Sequence, residues 1–320
     1  MGTAVITVTT DKINQLRDHY SRYIIDKLPQ GSVFAAKTPV CMVTAYKSGK
    51  VLFQGAGAES EAAQWAALSS SPAAASPGKK TSQKPAPGSH LPAGFGLLSV
   101  IGSDEVGTGD YFGPITVVAA YARKQDFPLL KELGVRDSKD LNDEKIIAIA
   151  KDIKDVIPYS LLTLHNEKYN KLQQSGMSQG KLKALLHNQA IGHVLKKIAP
   201  ETPDAILIDQ FAERGVYYNH LRGQQAIIRD NVYFSTKAEG LHLSVAAASI
   251  LARYAFIRHF ENLSEAAGFL IPKGAGPKVD EAAAKLILAK GQEVLPKFVK
   301  LHFANTQKAM NLVSRRRSNR

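Results

Sequence analysis

The sequence predicts an α/β (α+β) protein built as two unequal units. Three observations carry that expectation. Short apolar runs alternate with longer amphipathic ones through the last two thirds of the chain, as strands alternate with helices. The Pro/Ser/Lys-rich residues 69–93 are too poor in apolar side chains to bury a core and read as a flexible linker. The 320 residues are 44% hydrophobic, which suits one to three globular domains. The boundaries read as 1–68 for a small N-terminal unit, 69–93 for the linker, 94–312 for a large unit and 313–320 for a basic tail.

The N-terminal unit opens on a strand-like run, residues 5–8. Thr9 or Thr10 can cap a following helix, whose apolar face Ile13, Leu16, Tyr20, Tyr23, Ile24 and Leu28 fall at helical spacing. Residues 32–36, 41–46 and 51–54 are β-rich, with a hairpin signal at Lys47-Ser48-Gly49-Lys50. An alanine-rich helix over about 60–68 closes the unit. This order implies a sheet with helices on one face and the other face open to a ligand. In the large unit, residues 97–101 form a strand leading into Asp104-Glu105, and residues 115–121 return beside it. Residues 142–154 read as a helix capped by Asn142 or Asp143, 161–164 as a strand, and 177–199 as a long helix. Residues 205–209 form a short apolar strand ending on Asp209. Helices follow over 243–260, 280–289 and 297–308. The Ala246-Ala247-Ala248 run reads as a close-packing helix face.

Composition narrows the function classes. A net charge of +13 and a pI of about 9.6 favour a polyanionic partner, nucleic acid before membrane. No run reaches the roughly 20 apolar residues of a membrane span, and the start lacks the basic region of a signal peptide, so the cytoplasm is expected. Ile6 stands where a myristoylation signal needs Ser or Thr. The single cysteine, Cys41, excludes an intrachain disulfide and reads as a small packed apolar residue. The basic tail, Arg315-Arg316-Arg317 with Arg320, reads as a frayed end or a phosphate contact.

The chemistry concentrates in Asp104-Glu105-Val106-Gly107-Thr108-Gly109-Asp110-Tyr111-Phe112-Gly113-Pro114. Acids beside a buried strand are costly unless a cation or partner charge receives them, and glycines allow close backbone approach. Neighbouring residues on a strand point to opposite faces, so Asp104 and Glu105 can share a site only where the strand ends. Asp209 stands at the end of a second apolar strand, and ligands of open sheets collect at strand ends. Oxygen-rich carboxylate clusters suit Mg²⁺ or Mn²⁺ rather than zinc. Three or four carboxylates holding two such ions roughly 4 Å apart is an arrangement for phosphodiester hydrolysis, with no side-chain nucleophile required.

These residues resemble a known family. The 104–114 string is similar to the first motif of the type 2 ribonucleases H, most closely their HIII branch. Asp137-Ser138-Lys139-Asp140-Leu141, Ile206-Leu207-Ile208-Asp209-Gln210-Phe211, the Lys237-Ala238-Glu239 segment with the helix after it, Pro272-Lys273-Gly274-Ala275-Gly276 and Phe298-Val299-Lys300-Leu301-His302-Phe303 match further motifs in order. The resemblance implies a ribonuclease H-like domain, a central mixed sheet flanked by helices. It implies Asp104, Glu105, Asp209 and Glu239 as catalytic, metal-binding acids. The implied activity is endonucleolytic hydrolysis of the RNA strand of RNA/DNA hybrids, leaving 5′-phosphate and 3′-hydroxyl ends. Glu239 departs from the HII branch, which resembles this one but has Asp there. Thr108 departs from its Gly-Arg-Gly loop and favours continuous hybrids over single embedded ribonucleotides, because threonine lacks the guanidinium fork that grips phosphate.

By the same resemblance Gly107, Thr108, Gly109, Ser138 and Lys139 are substrate contacts. The N-terminal unit resembles the TATA-binding-protein fold and is implied to bind substrate, with Tyr46 and Lys50 as candidates. Its charge to Trp65 is only +2, from seven basic residues (Lys12, Arg17, Arg22, Lys27, Lys37, Lys47, Lys50) less five acidic ones (Asp11, Asp18, Asp26, Glu59, Glu61). Duplex binding there would depend on shape and hydrogen bonding as well as charge. No obligatory protein partner is called for, and a monomer is expected. Two alternatives stay open: a nucleic-acid-binding protein with a degenerate catalytic unit, and a DNA nuclease with similar metals.

Overall fold

The computed structural model describes residues 2–26, 28, 29, 31–46, 48–65, 88 and 90–318. The chain divides into two compact units, Met1–Thr81 and Ser82–Arg320. Most of the expected linker, including residues 69–87, lies outside the described residues.

The first unit is a four-stranded antiparallel sheet, β1 (Gly2–Thr7), β2 (Ser32–Lys37), β3 (Met42–Tyr46) and β4 (Lys50–Gly55), in the order β1-β4-β3-β2. Two helices, α1 (Thr10–His19) and α2 (Ala58–Trp65), pack with Phe34, Ala36, Val43, Ala45, Val51 and Phe53. Cys41 joins that core, as expected. Helix α1 ends well before Leu28. Tyr20 is buried, its hydroxyl donating to Glu61 and accepting from Trp65. The chain then turns, so that Ile24 bridges to Ala36. Tyr23, Ile24 and Leu28 are left exposed, because burying Tyr20 against α2 stops the helical face before it reaches them.

The second unit holds a five-stranded mixed sheet. Its strands are β5 (Val100–Val106), β6 (Ile115–Ala122), β7 (Tyr159–Leu164), β8 (Ala205–Asp209) and β9 (Val232–Ser235), in the order β7-β6-β5-β8-β9. β5 runs antiparallel to β6 and parallel to β8. The helices are α3 (Phe127–Glu132), α4 (Asp143–Ile153), α5 (Asn166–Gln174), α6 (Gln179–Ile198), α7 (Arg214–His220), α8 (Leu243–Ala267), α9 (Pro277–Lys290), α10 (Leu295–Phe298) and α11 (Ala304–Ser318). Asn142 caps α4, accepting from the Lys145 amide at 2.9 Å, and Ser178 caps α6.

Both sheet faces are covered, and the period-two alternation of β6 shows how. Val117, Ala119 and Tyr121 face the core shared with Leu182, Ile191 and Val194 of α6. Val118, Ala120 and Ala122 face α4 and α8 through Ile146, Ile149 and the Ala246–Ala248 run. Gly102 of β5 explains how close α8 comes: a Cβ there would overlap the backbone of Ser244 and Val245. A third cluster joins Tyr111 and Phe112 to α9, α10 and α11.

The large unit departs from expectation in two further places. The expected helix over residues 297–308 is broken into α10 and α11, because Asn170 accepts from the Leu301 amide and donates to the Val299 carbonyl, at 2.9 and 2.8 Å. The basic tail, read as a frayed end or a phosphate contact, is helical through Ser318, with Arg315, Arg316 and Arg317 in the last turn of α11, where cations complement the helix dipole. Among the described residues no helix is long and apolar enough to cross a membrane.

Candidate active site

Asp104 and Glu105 lie within β5 rather than beyond its end, facing Val118 and Val117 of β6. The strand therefore sends them to opposite faces. The parallel pairing of β5 with β8 is registered through Ser103–Ile208, so Asp104 lies just beyond the last β8 pair, beside Asp209. Asp104 is buried on the α8 face. Burial, then the charges of Asp209 and Glu105, push its carboxyl well above the usual range. The Ser249 hydroxyl and the Glu105 amide, the latter at 2.7 Å, pull the other way.

Glu105 turns toward α6. Lys183 Nζ donates to one carboxylate oxygen at 2.8 Å, and His187 Nε2 lies 2.9 Å from the other. Burial pushes Glu105 up, but the His187 hydrogen bond and charge, with those of Lys183, outweigh it and hold the carboxyl below its ordinary value. His187 is fully buried and stacked on Phe211. Its Nδ1 is 2.7 Å from the Ser103 hydroxyl, which donates its own proton to the Val118 carbonyl. His187 thus links Ser103 of β5 to Glu105 through its two ring nitrogens.

Asp209 ends β8 next to Asp104, and the Ala238 amide donates to it at 2.9 Å. Its carboxyl is raised by burial, with the Glu239 and Glu105 charges adding to the rise. Glu239 sits in a short 3₁₀ turn, Ala238–Gly240. One of its oxygens pairs with Lys139, while the other is buried with no hydrogen-bond partner. That hydrogen bond holds the largely exposed Lys139 ammonium above its usual range. The neighbouring Ser138 does not present its side chain outward as a substrate contact would. Its hydroxyl is buried against Ser249 at 2.9 Å and its carbonyl accepts from Arg253. It supports the Lys139 turn and Asp104 from behind.

Four hard oxygen donors, mutual repulsion among buried acids, and an orphaned oxygen on Glu239 together fit a divalent cation better than any softer metal. Asp104, Glu105, Asp209 and Glu239 are the residues that could hold it. As the side chains stand, no three acid, histidine or cysteine groups among the described residues converge on one point, because Glu105 is turned to Lys183 and His187 and Glu239 to Lys139. The lysine ammoniums occupy the electrostatic role that a cation would take.

The glycine loop leaves the end of β5 in two distinct parts. Gly107 has φ +94°, and a Cβ on it would strike the Pro114 carbonyl and the Phe256 ring, so only glycine fits. Gly109 is exposed, and a Cβ added to it would have nothing within 4 Å. Gln179 Nε2 donates to the Thr108 carbonyl at 3.1 Å. The N-terminal candidates sit at the hairpin end of their own sheet, where Lys50 is exposed and Tyr46 half-buried.

Lys183, His187, Ser103, Ser249 and Gly102 were not singled out by sequence reasoning. The only local signal was polar side chains at positions 183 and 187, one helical turn apart on a helix that carries several other polar residues.

A mixed sheet with acids on adjacent parallel strands, followed by a glycine loop, is the architecture of the type 2 ribonucleases H. The family model described as Ribonuclease HII matches residues 101–306, and a second, a domain of unknown function (DUF3378), matches residues 3–78. Ribonuclease HIII of Bacillus subtilis (strain 168) is 59% identical over 319 residues, 99% of this chain and 100% of that protein. The crystal structure of Bst-RNase HIII in complex with Mn²⁺ superposes with a TM-score of 0.68 at 48% identity, covering 98% of this chain and 100% of the other. The Aquifex aeolicus RNase H3 structure, 21% identical with a TM-score of 0.52 and covering 93% and 99% of the two chains, shares the fold. The chain belongs to the ribonuclease HII family, in its ribonuclease HIII branch.

Proposed function

We infer that this chain is an endonuclease that hydrolyses the RNA strand of RNA/DNA hybrids with divalent metal. The observation that carries the reading is the adjacency of Asp104 and Asp209 just past the last β5–β8 pair, Ser103–Ile208, with Glu105 and Glu239 beside them and the glycine loop beyond. These four acids are the proposed metal ligands and catalytic residues. When held by these acids, Mg²⁺ or Mn²⁺ (two ions during catalysis) would lower the pKa of an attacking water and offset charge on the phosphate.

The chain's own groups do the positioning. Lys183 and His187 hold Glu105 from the α6 side, and the Ser138–Ser249 pair supports Asp104 from the α8 side. Lys139 carries positive charge at the rim of the acids, where a phosphate of the cut strand is read to lie. The amides of Gly107 and Gly109 are read to meet sugar or phosphate, where the 2′-hydroxyl marks the RNA strand. Thr108 offers no cationic fork, which favours continuous hybrids over a single ribonucleotide in DNA. The N-terminal sheet, through its open face with Tyr46 and Lys50, is read as a second hold on the duplex, and residues 69–93 as the tether that raises its local concentration. The protein is read as a cytoplasmic monomer.

The test is cleavage of a hybrid labelled in its RNA strand, with Mg²⁺ or Mn²⁺ added. RNA fragments with 5′-phosphates are expected, with DNA/DNA left intact and a single embedded ribonucleotide cut poorly. Hybrid left whole, or DNA/DNA cut equally well, would overturn the reading.

The two glycines separate substrate contact from folding. Gly109→Ala is expected to leave the melting temperature within a degree or two, since its Cβ meets open space. It should raise KM for hybrid about tenfold by intruding on the approaching strand, a cost of about 1.4 kcal/mol. Gly107→Ala is expected to lower thermal stability, by roughly 1–3 kcal/mol, for the strain of its positive φ and the overlap behind it. Calorimetry with steady-state kinetics on both variants checks the contrast.

A further inference from the structure

Lys300 is among the largest fully buried side chains of the protein, and no part of the four-acid site uses it. It lies in the break between α10 and α11. Its ammonium donates to the carbonyls of Asp110 and Gly113, at 2.7 and 2.6 Å, and its amide donates to the Tyr111 carbonyl at 2.9 Å. Burial pushes the ammonium down to about 7, with the Asp110 charge opposing the fall. Burying a lysine without an ion-pair partner is costly, so its retention calls for a return elsewhere.

The return is visible in the loop it holds. The base of the 107–113 loop is fixed from several directions. Asn166 Nδ2 donates to the same Gly113 carbonyl at 2.9 Å. The Gly113 amide donates to the Phe298 carbonyl and the Tyr111 amide to the Gly274 carbonyl, both at 2.9 Å, and the Gly274 amide donates to the Asp110 carboxylate. The tip is treated differently. Gly109 is exposed and faces open space, and the Thr108 carbonyl accepts from Gln179. A rigid base under an open tip is what a loop needs in order to present backbone amides to a ligand at a fixed height.

We propose that Lys300 is a positioning residue of the reaction: it fixes the base of the 107–113 loop so that the Gly107-Thr108-Gly109 tip meets the substrate strand in register. The role rests on the reading above, in which that tip touches the RNA strand. Lys300 touches neither substrate nor acids. It acts through the carbonyls of Asp110 and Gly113. The C-terminal segment therefore governs substrate grip from behind the loop, without contributing a group to the chemistry.

The test compares Lys300→Met and Asn166→Ala with wild type in steady-state kinetics on hybrid, together with thermal unfolding. Methionine keeps most of the apolar stem and deletes the donor, leaving the Asp110 carbonyl without it. Lys300→Met is expected to raise KM about tenfold with kcat within about twofold, and Asn166→Ala to shift KM the same way by less. A merely structural role would lower the melting temperature and the active fraction, which scales the apparent kcat and leaves KM unchanged. KM unchanged in both variants overturns the proposal. If Lys300→Met does not fold, Asn166→Ala decides alone. Gly109→Ala is run alongside: should it raise KM while the other two do not, the positioning role falls and the loop reading stands. Should none of the three move KM, the loop reading falls and the role of Lys300 with it.

Discussion

Asp104→Asn is expected to abolish hybrid cleavage, by at least about a thousandfold in kcat, while leaving a folded protein of equal or greater stability without metal. Both halves follow from one fact: the Asp104 carboxyl is buried beside two other acids. A group at the centre of charge stabilisation costs a factor of this order when removed. The stability half has a definite sign. The folded protein holds the Asp104 proton above the ordinary value of 3.8, so over that window it binds more protons than the unfolded chain. Stability therefore falls as pH rises through the raised pKa, and the penalty is complete above it. Asparagine removes the penalty. Metal-free wild type and variant should melt alike below about pH 4 and diverge toward neutral pH, with the variant the more stable. Mg²⁺ or Mn²⁺ should stabilise the wild type by about 2.7 kcal/mol at a hundred times Kd, seen as a higher melting temperature, and stabilise Asp104→Asn much less. Equal metal-induced shifts would remove Asp104 from the ligand set.

Gly102→Ala is the substitution with the largest expected effect on folding. It adds a methyl group where β5 touches the start of α8, and the two nearest atoms it meets are backbone atoms of Ser244 and Val245. No rotamer change can relieve that overlap, so α8 must move off the sheet. The expected loss is about 3 kcal/mol or more, at the upper end of overpacking costs. Urea unfolding should show the midpoint falling with little change in slope. Activity should fall further than stability alone explains, because α8 carries Ser249 behind Asp104. A midpoint unchanged from wild type would mean that the helix has room to shift.

Much of this was legible in the chain, for reasons that differ by residue. Asp104, Glu105 and Asp209 stood out because acids beside apolar strands violate the expected pattern, and the strands β6 and β8 because their apolar runs are local. Helix α4 announced itself through Asn142. Other features depend on partners distant in sequence. Lys183 and His187 look like ordinary polar residues of α6 until the fold brings them to Glu105, some eighty positions away. The residues 297–308 carry a helical pattern, and only Asn170 and the buried Lys300 show why that helix breaks. Tyr20 likewise ends α1 through contacts with Glu61 and Trp65 on α2. Ser138 matched a motif, yet its hydroxyl faces inward, which no spacing rule reveals. The strand β9, four residues long, is too short to declare a period.

The break before α11 also bears on when the protein becomes competent during its synthesis. The β5–β6 pair can form as soon as residue 122 has emerged, but Asp104 gains Asp209 and Glu239 only after a further hundred residues. The 107–113 loop gains Lys300 later still, some sixty positions beyond Glu239. A nascent chain would thus carry its first two acids long before it could grip a hybrid with them.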